Sequence, residues 1–189
     1  MTDKRNLDIA AIVAAAAELV DETGYDALTL NSLATRLGVK PPSLYNHVKG
    51  IDDVRRRLAD VVASRMSAAI QCAAVGRSGE DALRDLAQAY RRFATVHREL
   101  YRAFLAAPSF GDEASFDVVA ATLKKILSAC RLNATAEDNF IRILHSGLYG
   151  FVALESTGVF TSGETTDASF DVLVASHLAV LHWLEDGGK

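Results

Sequence analysis

Apolar residues recur along most of this chain at the spacing of a helix, and nowhere convincingly at the spacing of a strand. Ile9, Ile12, Val13, Ala16, Leu19 and Val20 fall on one stripe, as a half-buried helix requires. The pattern predicts a helix over residues 6–23, closed by Gly24. A second helix follows, with Thr29 as its N-cap. Leu30, Leu33, Ala34 and Leu37 repeat at i, i+3, i+4 and i+7 and face the first helix. Gly38 supplies a turn. A third helix begins at Pro41-Pro42, where a missing N–H is harmless, and ends near Val48. Only Leu44 and Val48 sit at core spacing there, so most of that helix faces away from the core.

Longer amphipathic segments come next. The fourth helix, residues 51–74, opens on Asp52 and Asp53, which suit the positive end of a helix dipole. Val54, Leu58, Val61, Val62, Met66, Ala69 and Ile70 form its apolar face. Residues 76–79 read as a loop, with Ser78 and Asp81 as a capping pair. The fifth helix carries Leu83, Leu86, Ala87, Tyr90, Phe93, Ala94 and His97 on one stripe. A short helix continues through Tyr101 and Phe104 to Pro108. The next is expected over 112–131, with Phe116, Val119, Ala120, Leu123, Ile126, Leu127 and Cys130 inward. Thr135 should cap another, with Phe140, Leu144, Gly147, Phe151 and Leu154 at alternating spacings of four and three. Residues 158–166 read as a loop. The last helix, 167–186, repeats the pattern with Phe170, Leu173 or Val174, His177, Leu181 and Leu184. The expectation is an all-α chain of about nine helices.

Composition supports this reading. Half of the 189 residues are hydrophobic and only three are proline, so a helical core is feasible. Cys72 and Cys130 fit no metal spacing and read as reduced packing residues. The five histidines show no ligand-like spacing either, so neither a metal nor a cofactor is expected. No signal peptide follows Met1 and no apolar run is long enough to span a bilayer. The expected compartment is the cytoplasm, with no membrane partner.

Charge changes the picture more. The net charge is −4, which argues against a general nucleic-acid coat. Between Thr29 and Arg57, however, six cations (Arg36, Lys40, Lys49, Arg55, Arg56 and Arg57) face two acids (Asp52 and Asp53). That local excess of four leaves −8 on the remainder. A basic patch on an acidic body suits a protein that meets phosphate in one place.

The same stretch has helix-turn-helix form. Such a motif needs a small residue in the turn, a first helix that buries one face, and a second helix free to enter a major groove about 12 Å wide. Leu33, Ala34, Leu37, Gly38 and Leu44 meet the packing demands. Lys40, Pro41, Pro42, Ser43, Tyr45, Asn46 and His47 are left facing outward. Lys40 can reach a guanine edge or a phosphate, the prolines can touch thymine methyl groups, and Asn46 can pair bidentately with adenine. Ser43, Tyr45, His47 and Lys49 can bond phosphates, as can the hydroxyl and helix N-terminus at Thr29. The competing reading is an ordinary helical hairpin with a solvated face, which would not need paired prolines followed by exposed aromatics.

Thr29-Leu30, Leu33-Ala34, Leu37-Gly38-Val39 and Pro42-Ser43-Leu44-Tyr45-Asn46-His47-Val48-Lys49 together resemble the DNA-binding signature of TetR-family transcriptional regulators, over residues 8–58. The resemblance implies a homodimer. Each subunit would carry a three-helix DNA-binding head, residues 1–50, and a larger ligand-binding and dimerising helical body, residues 51–189. Family members often carry a lysine at the start of the fourth helix, where it meets the DNA backbone. Ile51 stands there instead, and Lys49 can substitute from the turn. Arg55 to Arg57 can assist or form a solvated face.

The segment His145–Gly158 is more weakly similar to one TetR subgroup's penultimate helix, which often has a His-Gly pair where Tyr149-Gly150 stands. By family analogy the last two long helices form a four-helix dimer interface. Gly147, Gly150, Phe151, Leu154, Phe170, Leu173, Val174, His177, Leu181 and Leu184 are its candidates. Ligand-pocket candidates are the polar and aromatic groups on otherwise apolar faces: Phe93, His97, Tyr101, Phe104, Arg142, His145 and Tyr149. The function expected is a ligand-responsive regulator, a homodimeric repressor released from a palindromic double-stranded DNA operator by a small molecule. A TetR-like regulator without a small-molecule effector, constitutive or protein-controlled, stays open as an alternative. An all-helical enzyme is the remote rival. No nucleophile elbow, phosphate loop, metal spacing or isolated carboxylate pair supports it, and no catalytic residue is assigned.

Overall fold

Asp8 sets the start of the first helix. Its carboxylate accepts a hydrogen bond from the Ala11 N–H at 2.7 Å, satisfying one of the unpaired donors of a first turn. Helix α1 therefore spans Ile9–Thr23 rather than beginning at residue 6. The computed structural model describes residues 7–107, 113–160 and 166–188, with backbone alone over 113–119. Residues 6, 108 and 112, the side chains of Phe116 and Val119, and part of the loop expected at 158–166 lie outside the described residues.

The described elements continue with α2 (Leu30–Leu37), α3 (Pro41–Leu44), α4 (Ile51–Ala74), α5 (Gly79–Val96), α6 (Arg98–Leu105), α7 (Glu113–Leu127), α8 (Ala134–Thr157) and α9 (Thr166–Glu185). Among the described residues there are nine α-helices and no strand. A 3-10 turn over Tyr25–Ala27, absent from the sequence reading, links α1 to α2.

The chain divides into two compact units. One comprises the chain up to Arg65 with His97–Phe116, the other Met66–Val96 with the chain from Asp117 on. In the first unit α1 packs against α2 and α6, and α2 against α3. Ile12, Ala16, Val20, Leu28, Leu33, Leu44, Val54 and Leu58 are fully buried there. On α2 the inward stripe narrows to Leu33 and Ala34, since Leu30 and Leu37 remain half-buried. Helix α6 contributes Leu100, Tyr101 and Phe104 to the same core. It also grips the 3-10 turn: Glu99 Oε2 accepts from the Tyr25 N–H at 2.9 Å, and Arg102 reaches Asp26 at 2.9 Å.

In the second unit α5 packs on α8 and α9, and α8 packs on α9. Leu83, Leu86, Tyr90, Phe140, Leu144, Val152, Phe170 and Leu181 build its core. Several expectations are corrected here. Helix α5 ends at Val96, so the inward stripe stops at Ala94 and His97 becomes the residue before α6, with its side chain 39% exposed. Helix α7 stops at Leu127, leaving Cys130 in the following turn, half-buried like Ile126. Asn133, not Thr135, caps α8. Its side chain accepts from the Ala136 N–H at 2.9 Å, a geometry that asparagine supports well. On α8 the buried stripe runs through Phe140, Ile141, Leu144, Leu148 and Val152. The 4,3 register drifts off a straight helix, so Gly147 and Phe151 are half-buried and Leu154 is 47% exposed.

Candidate nucleic-acid interface

The geometry of α2 and α3 follows from short-range chemistry. Thr29 has extended backbone and its Oγ1 accepts from the Ser32 N–H at 3.0 Å, while Ser32 Oγ accepts from the Thr29 N–H at 3.0 Å. This reciprocal capping box fixes where α2 begins. Gly38 closes α2 at φ 68°, ψ 27°, a left-handed conformation suited to glycine. Lys40 is extended, as a residue before proline prefers, and Pro41 and Pro42 occupy the first turn of α3. Regular α-helix ends at Leu44. The chain continues in turns to Val48, closer than the sequence pattern suggested to a single helical turn. Leu44 and Val48 anchor this segment in the core.

Everything else on the segment faces outward or sits half-buried. Tyr45 is 61% exposed. Thr29, Lys40, Pro42, Asn46 and Lys49 are exposed, and Pro41, Ser43 and His47 are half-buried. The motif thus gathers all nine expected DNA-facing residues along one contiguous stretch of the first unit.

The basic stretch carries less free charge than the sequence implied. Arg36 is clamped by Glu18 at 2.9 Å and Glu22 at 2.7 Å, both from α1. Arg55 meets Asp52 at 3.2 Å and lies over the Tyr25 ring, 5.5 Å from its centroid. Arg57 and Arg56 approach Asp53 at 3.1 and 3.6 Å. Among the described residues, Lys40 and Lys49 are the cations of this stretch outside ion pairs. Beside Ile51, the start of α4 is organised by Asp53, which is buried and accepts from the Lys49 N–H at 3.0 Å. That backbone bond, then Arg57 and Arg56, holds the Asp53 carboxyl below its ordinary range against the opposing effect of burial.

The expected sensing side chains fall into two groups. Tyr101 and Phe104 are buried in the first unit with ring centroids 6.4 Å apart. His97 of that unit places Nδ1 3.5 Å from Asp21. In the second unit Phe93 is buried, and His145 lies edge-on to Tyr90 at 6.4 Å and tilted to Tyr149 at 6.5 Å. Burial pushes the His145 imidazole below its ordinary pKa, favouring the neutral ring. Arg142 is exposed and reaches Asn139 at 3.4 Å. Of the dimer candidates, Phe170, Val174, His177 and Leu181 are buried within the protomer, while Gly147, Gly150, Phe151, Leu173 and Leu184 are half-buried.

One cluster escaped the sequence reading. Arg91 Nε donates to Glu155 Oε2 at 2.9 Å, Arg91 Nη1 meets Asp167 at 2.8 Å, and the guanidinium lies over Phe170 at 4.8 Å and Phe151 at 5.7 Å. It ties α5 to α8 and α9. Among the described residues no group of side chains could hold a metal ion, and no helix is long and apolar enough to cross a membrane.

Comparison with known proteins agrees with this architecture. Residues 12–58 match "Bacterial regulatory proteins, tetR family", and residues 83–177 match "Tetracyclin repressor-like, C-terminal domain". An uncharacterized HTH-type transcriptional regulator of Mycobacterium tuberculosis is 38% identical over 170 residues, 87% of this chain and 77% of that protein. The tetracycline repressor protein class D of Escherichia coli is 32% identical over 156 residues, 81% of this chain and 62% of that protein. The crystal structure of a TetR variant from Acinetobacter baumannii AYE in complex with minocycline superposes with a TM-score of 0.73. Its identity is 24%, over 97% of each chain, and it speaks for the fold. With a helix-turn-helix that presents its third helix outward and a matching helical body, the chain belongs to the TetR family of transcriptional regulators and is not an enzyme.

Proposed function

We infer that this chain is a ligand-responsive homodimeric repressor, released from a palindromic operator when a small molecule binds. The observation that carries the reading is the outward presentation of Lys40, Pro42, Tyr45, Asn46 and Lys49 on a short helix and following turns anchored by Leu44 and Val48. Residues 1–50 act as the DNA-binding domain, and residues 51–189 bind ligand and dimerise. Asn46 reads adenine, Lys40 reaches a guanine edge or a phosphate, Pro41 and Pro42 touch methyl groups, and Thr29, Ser43, Tyr45, His47 and Lys49 fix the backbone. Two such heads, about 34–36 Å apart, meet successive major grooves. The exposed Leu154 and the half-buried Gly147, Gly150, Phe151, Leu173 and Leu184, with Phe170, Val174, His177 and Leu181 beneath them, support α8 and α9 as the dimer faces.

Repression is supported by the relative named a tetracycline repressor, and small-molecule control by the neighbour solved with minocycline. Phe93, Arg142, His145 and Tyr149 are the effector side chains of the second unit; His97, Tyr101 and Phe104 belong to the first unit. A ligand that prefers the head spacing unable to reach both half-sites shifts the population off DNA. Footprinting on the chain's own upstream region tests this. A protected palindrome is expected, with protection lost in the Tyr45→Ala/Asn46→Ala double variant. Lys40→Ala and Lys49→Ala should each lower the salt dependence of binding by roughly one ion if they meet phosphate. Protection that survives the double variant would remove these residues from the interface.

A further inference from the structure

A cavity of about 340 Å³ opens in the second unit, between the end of α4, the start of α5 and the end of α7. It is lined by none of the residues assigned above to effector binding. Its two charged lining residues are both cations, Arg77 and Lys125, in a chain whose net charge is −4. Among the described residues, no acid lines it. Arg77 Nε is held by Asp85 at 3.0 Å, which orients the guanidinium and offsets part of its charge. Exposed Gln71 donates from Nε2 to the hydroxyl of the buried Thr122 at 3.1 Å. The rest of the wall joins apolar side chains, Val75, Ala74 and Ile126 among them, to the hydroxyl residues Ser78 and Ser128. Apolar walls with a few converging polar groups are the usual make-up of a small-molecule site.

We propose that this cavity binds a small amphipathic monoanion, a carboxylate with a short hydrocarbon body. The head lies between Lys125 and Arg77, and the body rests on Val75, Ala74 and Ile126. A monoanion fits better than a phosphate dianion because Asp85 already satisfies part of Arg77. Lys125 and Arg77 are exposed, so the head sits at the cavity mouth, and the Gln71–Thr122 pair gives its inner oxygen a polar neighbour. The site is separate from DNA reading, and its test does not depend on an operator.

Titration calorimetry with octanoate, octanamide and octylamine tests the assignment. Octanoate is expected to bind saturably, one molecule per chain, and octanamide at least roughly tenfold more weakly, since a charge-assisted contact is lost. Octylamine should give no saturable heat. Lys125→Gln and Arg77→Gln change exposed side chains and should each weaken octanoate while leaving thermal unfolding cooperative. Ala74→Phe fills the cavity and should abolish binding. Should that variant fail to fold, the two charge variants decide the matter. No saturable octanoate binding, equal affinity for octanamide, or unchanged binding in the Arg77→Gln/Lys125→Gln double variant overturns the proposal.

Discussion

Replacing Gly147 by alanine sets two effects of opposite sign against each other on α8. Helix propensity alone predicts a gain of about 1 kcal/mol, because glycine is costly inside a helix. The structure predicts a loss. A Cβ built on Gly147 would lie 2.5 Å from both Cε1 and Nε2 of His177, well inside van der Waals contact. His177 has little freedom to yield. It is 5% exposed, with Nδ1 2.7 Å from the Leu173 carbonyl and Nε2 3.2 Å from that of Ile143. Overpacking of this kind costs about 1–3 kcal/mol, and displacing the ring from a carbonyl costs about 1 kcal/mol more. Set against the propensity gain, Gly147→Ala should destabilise by about 1–3 kcal/mol. For a chain of this size each kcal/mol lowers the melting temperature by roughly 2–4 °C. Urea denaturation of the four members of a double-mutant cycle with His177→Ala isolates the clash. In the His177→Ala background the added methyl has room, so Gly147→Ala should become neutral or stabilising. A stable Gly147→Ala single variant, or strictly additive effects, would refute the account of close approach between α8 and α9.

Three other outcomes are expected. Thr29→Ala removes half of the capping box and should cost about 1 kcal/mol in urea denaturation; no change would mean that Ser32 alone caps α2. Asp53 has a lowered pKa in the folded chain, so its contribution is present above its ordinary value and is lost as pH falls through the depressed one. Asp53→Asn should therefore lower stability at pH 7 and flatten the acid limb of a stability–pH curve; parallel curves would contradict this. Burial also lowers the pKa of His145, against an ordinary value of 6.5. The unfolded chain takes the proton first, so this contribution is full above 6.5 and lost as pH falls through the depressed folded value. His145→Gln should reduce the stability difference between pH 7.5 and pH 5.5, and an unaltered difference would place the effect elsewhere.

Much of this fold can be read from periodicity, because long amphipathic helices announce their buried faces. Leu33, Ala34 and Leu44 fix the helix-turn-helix packing by spacing alone, and Gly38 marks its turn. What escaped depends on distant partners. Tyr25–Ala27 reads as a gap between a stop and a start, yet it is organised by Glu99 and Arg102, over seventy residues away. His97 continues a helical stripe in sequence, but the chain leaves helical geometry there, at φ −107° and ψ 49°. Arg91 and Glu155 each look like solvated positions on long helices. Only the packing of α5 on α8 reveals them as a pair, with 12% and 15% of their side chains exposed. The charge of the basic stretch differs from its sequence tally for the same reason. Arg36, Arg55, Arg56 and Arg57 add to a basic tally until the carboxylates opposite them are seen.

The clasp of α6 on the 3-10 turn has a consequence for protein engineering. The unit that houses the recognition segment is discontinuous, with its last helix inserted from beyond α5. A graft limited to residues 1–50 would leave behind Leu100, Tyr101 and Phe104, and would strip Tyr25 of the carboxylate that holds its N–H. A chimera meant to move the recognition segment onto another chain must carry residues 7–65 together with 97–107, two segments rather than one.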